Sequence, residues 1–351
     1  MSKRRETIMQ MLIVLSGLLI AVAVIFLTSK TPEKALHAFF IKPFSTVNRF
    51  GNMLNDAVPL IITGLAATVS FQASVWNLGT EGQAYCGMVC GWLACHLMQG
   101  WPVVVALPLA FLAAFFGGAF LCYISTLLAK RFSCSMMMSS LLLSNVAIDM
   151  CMLFVEGGPF YDSDSGLGIA TYQVDERFLF KGILGRSDLD TGLFVALGIF
   201  LVICLMLDRS RLGYEIRMTG KNEKFARYGG IATVSVSAIA MMISGGLAAT
   251  GGLVYVLSNT GRVLNIFSNI GWTGMSVAMI AHQKPKLVVP MALFIAYITA
   301  GAQHAQLSAD ISPTIAQIIE GSVLLFVTSA SLMNLLASRR KDKEKGEEVR
   351  A

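Results

Sequence analysis

Charged residues are scarce in this chain. They make up 14% of its 351 residues, whereas a typical soluble domain has about 25%. Apolar residues reach 55%, and the mean hydropathy is +0.67. A soluble fold of this length would lack the polar residues needed to cover its surface. The composition therefore excludes soluble, disordered and collagen-like classes, and it predicts an all-α, polytopic membrane protein.

The chain also lacks the residue groupings that carry chemistry. Its four histidines are scattered, its seven cysteines lie in or beside apolar runs, and no His, Cys or acidic cluster has metal-ligand spacing. We find no Ser-His-Asp or paired-carboxylate arrangement. There is also no Gly-x-x-x-x-Gly-Lys-[Ser/Thr] loop for ATP. We therefore expect no catalytic residue, metal or cofactor in this chain. The absence of a basic patch interleaved with aromatics argues against nucleic-acid binding.

Long apolar runs are what the sequence has instead. A helix that spans the bilayer needs roughly 20 apolar residues. Ten candidate spans follow, of which the third and the eighth are short: 9–28, 57–75, 82–98, 103–129, 135–155, 191–208, 232–257, 270–281, 287–303 and 317–337. The first could be a signal peptide, because Lys3, Arg4 and Arg5 precede it. It is long, however, and no small-residue cleavage site follows, so we interpret it as an anchor.

The distribution of basic residues orients the spans. With both termini in the cytoplasm, most lysines and arginines fall on the inner side, and the long outer loop between spans five and six is acid-rich. The outer loop before span two is an exception, because it is basic. We predict one transmembrane domain with these parts: 1–56 anchor span and outer loop, 57–155 first block, 156–231 outer loop, sixth span and cytoplasmic segment, 232–337 second block, and 338–351 charged cytoplasmic tail.

Two glycine-containing motifs recur at matching positions. Both read Asn-[Leu/Ile]-Gly-x-x-Gly, and they occupy residues 77–82 and 269–274. Each follows the first span of a four-span block, and the two blocks start from opposite sides of the membrane. This pattern predicts an inverted repeat of two four-helix blocks with interrupted helices beside a transport pathway. Three shared identities can also arise by chance.

Polar and glycine residues in and near these motifs are candidates for the lining of a translocation path. Glycine lets the backbone break and a neighbouring helix approach, and polar side chains can satisfy backbone groups at membrane depth. The predicted path residues are Asn77, Gly79, Glu81, Gly82, Gln83, Asn145, Asp149, Asn269, Gly271 and Gly274. Two alternatives stay open: Glu81 could cap a cytoplasmic turn, and Asp149 could make a polar contact between helices.

The longest polar segment on the inner side before the tail runs from 209 to 231. Phe225 and Tyr228 lie three positions apart there, on one face of a short helix, and basic residues surround them. Apolar side chains in a basic rim suit docking into the groove of a partner protein. The alternative is an ordinary loop whose positive charge only sets the topology.

Four motifs resemble those of bacterial ABC-importer permeases, the binding-protein-dependent group for simple sugars, nucleosides and branched-chain amino acids. Residues 217–231 resemble the cytoplasmic coupling motif of this group. Residues 76–83 are similar to the Phe-Asn-Ile-Gly-Ala-Glu-Gly-Gln stretch of nucleoside-type members, and residues 271–278 to their Gly-Phe-x-Gly-Ile-Ala-Val-Ala stretch. Residues 318–327 resemble the start of their last span, with Glu320 where glutamine is expected.

The resemblance implies a division of labour. An external binding protein or lipoprotein would deliver the solute, and two permease subunits in the bacterial inner membrane would form the path. We expect a heterodimer, with a homodimer as the alternative. A separate ATP-binding subunit, which holds ATP and Mg, would dock on the coupling motif. The residues expected to couple are Arg217, Gly220, Asn222, Phe225, Ala226, Arg227, Tyr228 and Gly230.

The resemblance favours import of a nucleoside or a related ribose-bearing or sugar compound. One departure weakens the nucleoside assignment: a Gly-Val-Asn-Glu-x-Ile stretch is expected at the start of the fifth span, where this chain has residues 133–138, Ser-Cys-Ser-Met-Met-Met. Riboflavin or a simple sugar is therefore an alternative solute. A proton-coupled secondary transporter that uses Asp149 and Glu81 is an alternative of a different class.

Overall fold

The computed structural model describes residues 21–309, apart from 157, 164–165, 167 and 265–267, together with residue 19 and scattered positions between 311 and 325. This part of the chain is helical, and its β-structure is limited to isolated bridges. The helices with both ends among the described residues are α1 (Pro32–Phe40), α2 (Val47–Gln72), α3 (Thr80–Leu97), α4 (Val103–Arg131), α5 (Met136–Glu156), α6 (Gly192–Arg209), α7 (Arg211–Lys221), α8 (Glu223–Tyr228), α9 (Thr233–Ser258), α10 (Ile270–Ile280) and α11 (Pro285–Ser308). Residues 21–28 are also helical.

Six of these helices are long and apolar enough to cross a bilayer, namely α2, α4, α5, α6, α9 and α11. They match the predicted spans 57–75, 103–129, 135–155, 191–208, 232–257 and 287–303. The short spans 82–98 and 270–281 correspond to α3 and α10. The predictions of an all-α fold and of a multi-pass membrane protein are thus confirmed. Spans 9–28 and 317–337, including Glu320, lie mostly outside the described residues.

The helix α2 begins ten positions before the predicted span. The prediction followed the apolar run from residue 57, but polar residues such as Asn52 and Asn55 continue the same helix toward its N-terminus. The predicted outer loop 29–56 therefore contains the start of α2 and the whole of α1. Helical hydrogen bonds are made within the backbone, so polar side chains at the end of a span do not stop the helix.

The chain divides into two compact units. One unit comprises residues 54–293 and holds the core helices, and the other comprises 1–53 together with 294–351. In the second unit, the carbonyl oxygen of Phe40 accepts a hydrogen bond from the Tyr297 hydroxyl at 3.4 Å. Gly301 approaches the backbone of Phe39 so closely that a Cβ there would lie 2.6 Å from its carbonyl oxygen.

The core of the larger unit is formed by α3, α9 and α4. Most of α3 is buried, and α9 carries the small-residue run 244–252 against it. A Cβ on Gly87 would lie 2.0 Å from the carbonyl oxygen of Ala249, and one on Gly118 would lie 2.2 Å from that of Gly245. Backbones approach so closely only where the facing residues are small, and this is how helices associate in lipid.

Two irregular segments interrupt the helical core. Residues 73–79 precede α3, and the described residues 259–264 and 268–269 precede α10, which has 11 residues. A helix of that length is about 16 Å long, roughly half the hydrocarbon thickness of a bilayer. Each segment contains or adjoins one of the two repeated motifs, in agreement with the predicted helix breaks.

The first prediction concerns the contact between α3 and α9. Gly87→Ala should force these helices apart and destabilise the chain by about 1–3 kcal/mol, because overpacking must be relieved by backbone movement. Gly198→Ala on α6 is the matched control, since nothing lies within 4 Å of its Cβ position. Thermal unfolding of the detergent-solubilised proteins measures both. Equal unfolding temperatures for the two variants would contradict this packing.

Candidate functional site

The N-termini of α3 and α10 meet inside the larger unit. A Cβ on Gly271 would lie 2.4 Å from the backbone nitrogen of Glu81. The Thr80 hydroxyl donates a hydrogen bond to the carbonyl oxygen of Gly271 at 3.2 Å. The two repeated motifs, 192 positions apart in sequence, are therefore in direct contact. We call this contact, formed by residues 77–83 and 268–274, the half-helix junction.

The carboxylate of Glu81 caps the first turn of α10. It accepts hydrogen bonds from the backbone N–H groups of Gly271 at 2.7 Å and Trp272 at 3.3 Å, and from the Ser268 hydroxyl at 2.9 Å. The N-cap position itself, Asn269, has a left-handed backbone (φ 52°) and no side-chain cap. The first N–H groups of a helix lack intrahelical partners, and its N-terminus favours negative charge. Glu81 supplies both the acceptor and the charge from another helix.

The α3 end of the junction is satisfied by serine and asparagine side chains. The hydroxyls of Ser140 and Ser144 on α5 accept hydrogen bonds from the backbone N–H groups of Leu78 (3.2 Å) and Gly82 (2.8 Å). Asn77 Oδ1 accepts from the N–H of Gly79 at 3.1 Å. Irregular backbone at membrane depth needs such partners.

Asn77 and Gln83 form a reciprocal pair of amides. Asn77 Nδ2 donates to Gln83 Oε1 at 2.8 Å, and Gln83 Nε2 donates to Asn77 Oδ1 at 2.9 Å. Asn77 Nδ2 also donates to the Ser244 hydroxyl on α9 at 3.0 Å. This pair fixes the 73–79 segment to the start of α3 and to α9.

The helix α2 gives the position of the junction along the bundle. Thr63 donates from its hydroxyl to the carbonyl oxygen of Ile270 at 3.1 Å, at the start of α10. Gln72 donates to the carbonyl oxygen of Gln283 at 2.8 Å, just beyond the end of α10. Thr63 lies about 14 Å from Gln72 along a helix that is about 39 Å long. The junction is therefore at an interior level of α2, away from both of its ends.

Most of the predicted path residues gather at this junction, namely Asn77, Gly79, Glu81, Gly82, Gln83, Asn269, Gly271 and Gly274. Asn77 and Glu81 are 0% exposed, and Gln83 is 1% exposed. These three side chains are thus shielded from solvent in this conformation, whereas Asn269 and Trp272 on the α10 side of the junction are exposed. Their role in lining a path stays a prediction.

Asn145 and Asp149 lie elsewhere. Both are exposed on the face of α5 opposite Ser140 and Ser144, and neither has a hydrogen bond or ion pair within the described residues. The serine contacts, like the hydrogen bond from Ser268 N–H to the Tyr85 hydroxyl at 3.0 Å, were not predicted. The four-residue spacing of Ser140 and Ser144 in an apolar helix is a signal that could have identified them.

The predicted coupling segment folds into the two short helices α7 and α8. Asn222 lies between them, and its side-chain oxygen accepts from the N–H of Phe225 at 3.0 Å, which makes it the N-cap of α8. Ala226 is buried, whereas Phe225 is 62% and Tyr228 is 92% exposed. Beyond the helix, Gly230 has a φ of +83°, a conformation that favours glycine.

Three charged groups complete this segment. Arg227 is exposed and forms an ion pair with Glu223 one turn earlier, at 3.4 Å. Arg217, also predicted to couple, is partly buried on α7, and its Nη1 atom has no hydrogen-bond partner in the part of the chain that the structure describes. Six of the eight predicted coupling residues therefore fall into two groups: Asn222, Ala226 and Gly230 shape the segment, while Phe225, Arg227 and Tyr228 face outward. The other two, Arg217 and Gly220, lie on α7.

Gly220 joins the coupling segment to the 73–79 segment. A Cβ on Gly220 would lie 1.9 Å from the carbonyl oxygen of Gln72. The Ser74 hydroxyl donates to the carbonyl oxygen of Gly220 at 2.8 Å. Asn77 follows Ser74 by three positions and belongs to the half-helix junction. A displacement of α7 thus acts directly on the backbone that leads into the junction.

Comparisons with known proteins identify the family of the chain. A profile of the family described as "branched-chain amino acid transport system / permease component" matches residues 49–328. The glucose ABC transporter permease of Haloferax volcanii is 27% identical over 91% of this chain and 86% of that protein. The probable riboflavin import permease of Treponema pallidum is 28% identical over 90% of this chain and 84% of that protein. The nucleoside ABC transporter permease of Lactococcus lactis subsp. cremoris is 22% identical over 99% of this chain and 100% of that protein.

The second prediction tests the cap on α10. Glu81→Ala leaves buried N–H groups of Gly271 and Trp272 without an acceptor, and each such group costs about 1–3 kcal/mol. We expect a lower unfolding temperature than in the wild type. Glu81→Gln keeps one acceptor oxygen but loses the charge, so its unfolding temperature should lie between the two. Thermal unfolding in detergent checks this order, and an alanine variant as stable as the wild type would refute the capping role.

Proposed function

The chain belongs to the family of branched-chain amino acid transport system permease components, and on that premise we propose that it forms half of the translocation path of an ATP-driven importer. The proposed solute is a nucleoside or a related ribose-bearing or sugar compound, delivered by an external binding protein or lipoprotein. A separate subunit binds and hydrolyses ATP with Mg. The chain lies in the bacterial inner membrane with both termini in the cytoplasm.

The observation that carries this proposal is the continuous contact between the coupling segment and the half-helix junction. Phe225 and Tyr228 present apolar surface to a partner. Gly220, in the preceding helix, touches the backbone at Gln72. From there the 73–79 segment leads to Asn77 and the junction. Movement of a docked ATPase would therefore reach the middle of the bundle without passing through a flexible linker.

The junction can change from a closed contact to a solute site. In the closed form, Glu81 occupies the N–H groups at the start of α10. When the two half-helices separate, the N–H groups become free donors and the Glu81 carboxylate becomes a free acceptor. Donors and acceptors at interrupted helices are suited to hydroxyl-rich solutes. In this mechanism Asn77, Gln83 and the glycines of both motifs line the opened path.

The expected solute chemistry is consistent with the relatives. The names of these relatives contain glucose, nucleosides and riboflavin. Each of these solutes carries several hydroxyl groups on a sugar or a sugar-derived chain. The departure at residues 133–138 keeps riboflavin and simple sugars as alternatives to a nucleoside.

Asn145 and Asp149 require a partner or water in this proposal. An ionisable side chain within a membrane helix is costly when it faces lipid, yet both residues are exposed on α5. We place this face of α5 against the second permease subunit or the water-filled path beside it. The partner would supply a hydrogen-bond donor to Asp149, and we keep a heterodimer as the proposed assembly, with a homodimer as the alternative.

The third prediction tests the function itself. Proteoliposomes that contain this chain, its companion permease, the ATPase and the binding protein should take up one member of a panel of labelled nucleosides, riboflavin, ribose and galactose. Uptake should require both ATP and the binding protein. Uptake that a proton gradient drives without ATP would overturn the proposal in favour of a secondary transporter that uses Asp149 and Glu81.

The fourth prediction concerns the coupling surface. The double variant Phe225→Ala, Tyr228→Ala removes two exposed side chains, so its unfolding temperature should remain close to that of the wild type. Loss of apolar anchors in an interface costs about 2 kcal/mol or more, so binding of the ATPase should weaken at least about tenfold. Tyr123→Ala on the exposed side of α4 is the control. Unchanged ATPase binding by the double variant would contradict the docking role.

A further inference from the structure

The chain between α5 and α6 is attached to the segment before α10 by a row of hydrogen bonds. The backbone N–H of Thr171 donates to the carbonyl oxygen of Val263 at 3.1 Å, and that of Val174 to Gly261 at 3.0 Å. The N–H of Val263 donates in return to the Thr171 hydroxyl at 3.0 Å. Two segments about 90 positions apart in sequence are thereby held edge to edge.

An ion pair shielded from water closes this attachment. Arg262 Nη1 contacts Asp162 Oδ2, and the same nitrogen donates to the carbonyl oxygen of Thr171 at 3.1 Å. The two side chains of the pair are only 17% and 16% exposed. Removing one partner of such a pair leaves an uncompensated charge in a poorly hydrated place and is strongly unfavourable. The pair therefore acts as a clasp between the loop and the 257–264 segment.

The clasped loop also touches the helix that carries Glu81. Trp92 on α3 is fully buried, and its indole nitrogen donates to the carbonyl oxygen of Tyr172 at 3.0 Å. The rings of Trp92 and Phe160 meet edge to face at 5.5 Å. Tyr85 lies between Glu81 and Trp92 in the same helix, and its hydroxyl accepts a hydrogen bond from the N–H of Ser268. The loop is thus connected through α3 to the half-helix junction.

We propose that Arg262 is a positioning residue: it clasps the described residues of the 158–182 loop to the 257–264 segment so that both move as one body and transmit events at the outer surface to the half-helix junction. This inference rests on the proposed function, because the event to be transmitted is the docking of the external binding protein. The clasp does not touch the solute. The clasp determines whether docking of the external binding protein changes the contacts of Glu81.

The experiment uses the complete reconstituted complex and separates two rates. One is ATP hydrolysis by the complex alone, and the other is hydrolysis with the liganded binding protein. Asp162→Asn and Arg262→Gln should reduce the stimulation by the binding protein at least about fivefold, the loss of a typical coupling between sites, and leave hydrolysis by the complex alone little changed. Arg262→Lys, which keeps the charge, should retain part of the stimulation.

The matched control is a second ion pair in the same loop. Arg177 and Asp175 form a salt bridge that is much more exposed, at 53% and 31%. The hydrogen bond from Arg177 lowers the pKa of the Asp175 carboxyl, but this pair does not join the loop to the 257–264 segment. Asp175→Asn should leave the stimulation at the wild-type level. An equal loss in Asp175→Asn and Asp162→Asn would overturn the special role of the clasp.

A disulfide tests whether the two segments move together. Ala170 and Leu264 form an antiparallel bridge, a spacing that suits a disulfide. The double variant Ala170→Cys, Leu264→Cys should transport normally when oxidised. In the Asp162→Asn background the disulfide should restore stimulation, and a reductant should remove it again. This restoration also shows that Asp162→Asn is folded. If the oxidised double variant does not transport, the loop has to separate from the 257–264 segment during transport, and the proposal is wrong.

The outcomes distinguish this inference from the proposed function. If the wild-type complex shows no uptake that depends on ATP and the binding protein, both the proposed function and this inference are wrong. A wild-type complex with such uptake, combined with full stimulation in Asp162→Asn, would remove only the clasp and leave the permease function standing.

Discussion

The capping of α10 by Glu81 is the interaction on which the rest of the arrangement depends. A helix that begins inside a membrane protein exposes N–H groups where no bulk water can reach them. The chain meets this constraint with a carboxylate from a second interrupted helix, at 2.7 Å from the nitrogen of Gly271. Because the cap comes from α3, neither helix can be placed without the other. The helix break before α10 and the contact between α3 and α10 therefore depend on each other.

Close packing makes this contact possible. The start of α3 can reach α10 because Gly271 has no side chain. The rest of α3 is held against α9 through Gly87, and α4 is held against α9 through Gly118. In lipid, helices associate through such close contacts and through hydrogen bonds between helices. The Asn77–Gln83 amide pair, with its bond to Ser244, adds the second kind of contact. Both kinds of contact therefore hold the two half-helices together in this conformation.

Two other parts of the larger unit contact helix α3 or the segment that leads into it. On one side, Gly220 of α7 touches the backbone before α3. On the other, the 158–182 loop reaches Trp92 of the same helix and is clasped by Arg262. Helix α3 is therefore the shared element through which a cytoplasmic ATPase and an external binding protein would act on a single site. Such a layout suits an importer, in which both partners must influence the same opening.

The amino-acid sequence alone was sufficient to predict the class of the protein and the location of its two helix breaks. Low charge and long apolar runs require a multi-pass helical fold, and the repeated Asn-[Leu/Ile]-Gly-x-x-Gly motifs mark both interrupted helices. It did not reveal which residues meet. Ser140, Ser144 and Ser268 look like ordinary small residues until α5 and the segment before α10 bring them to the junction, and Asp149 shares the sequence features of a path residue but faces outward. Periodicity and composition are local properties of the chain, whereas the partner of a backbone N–H group 190 positions away is decided only by packing.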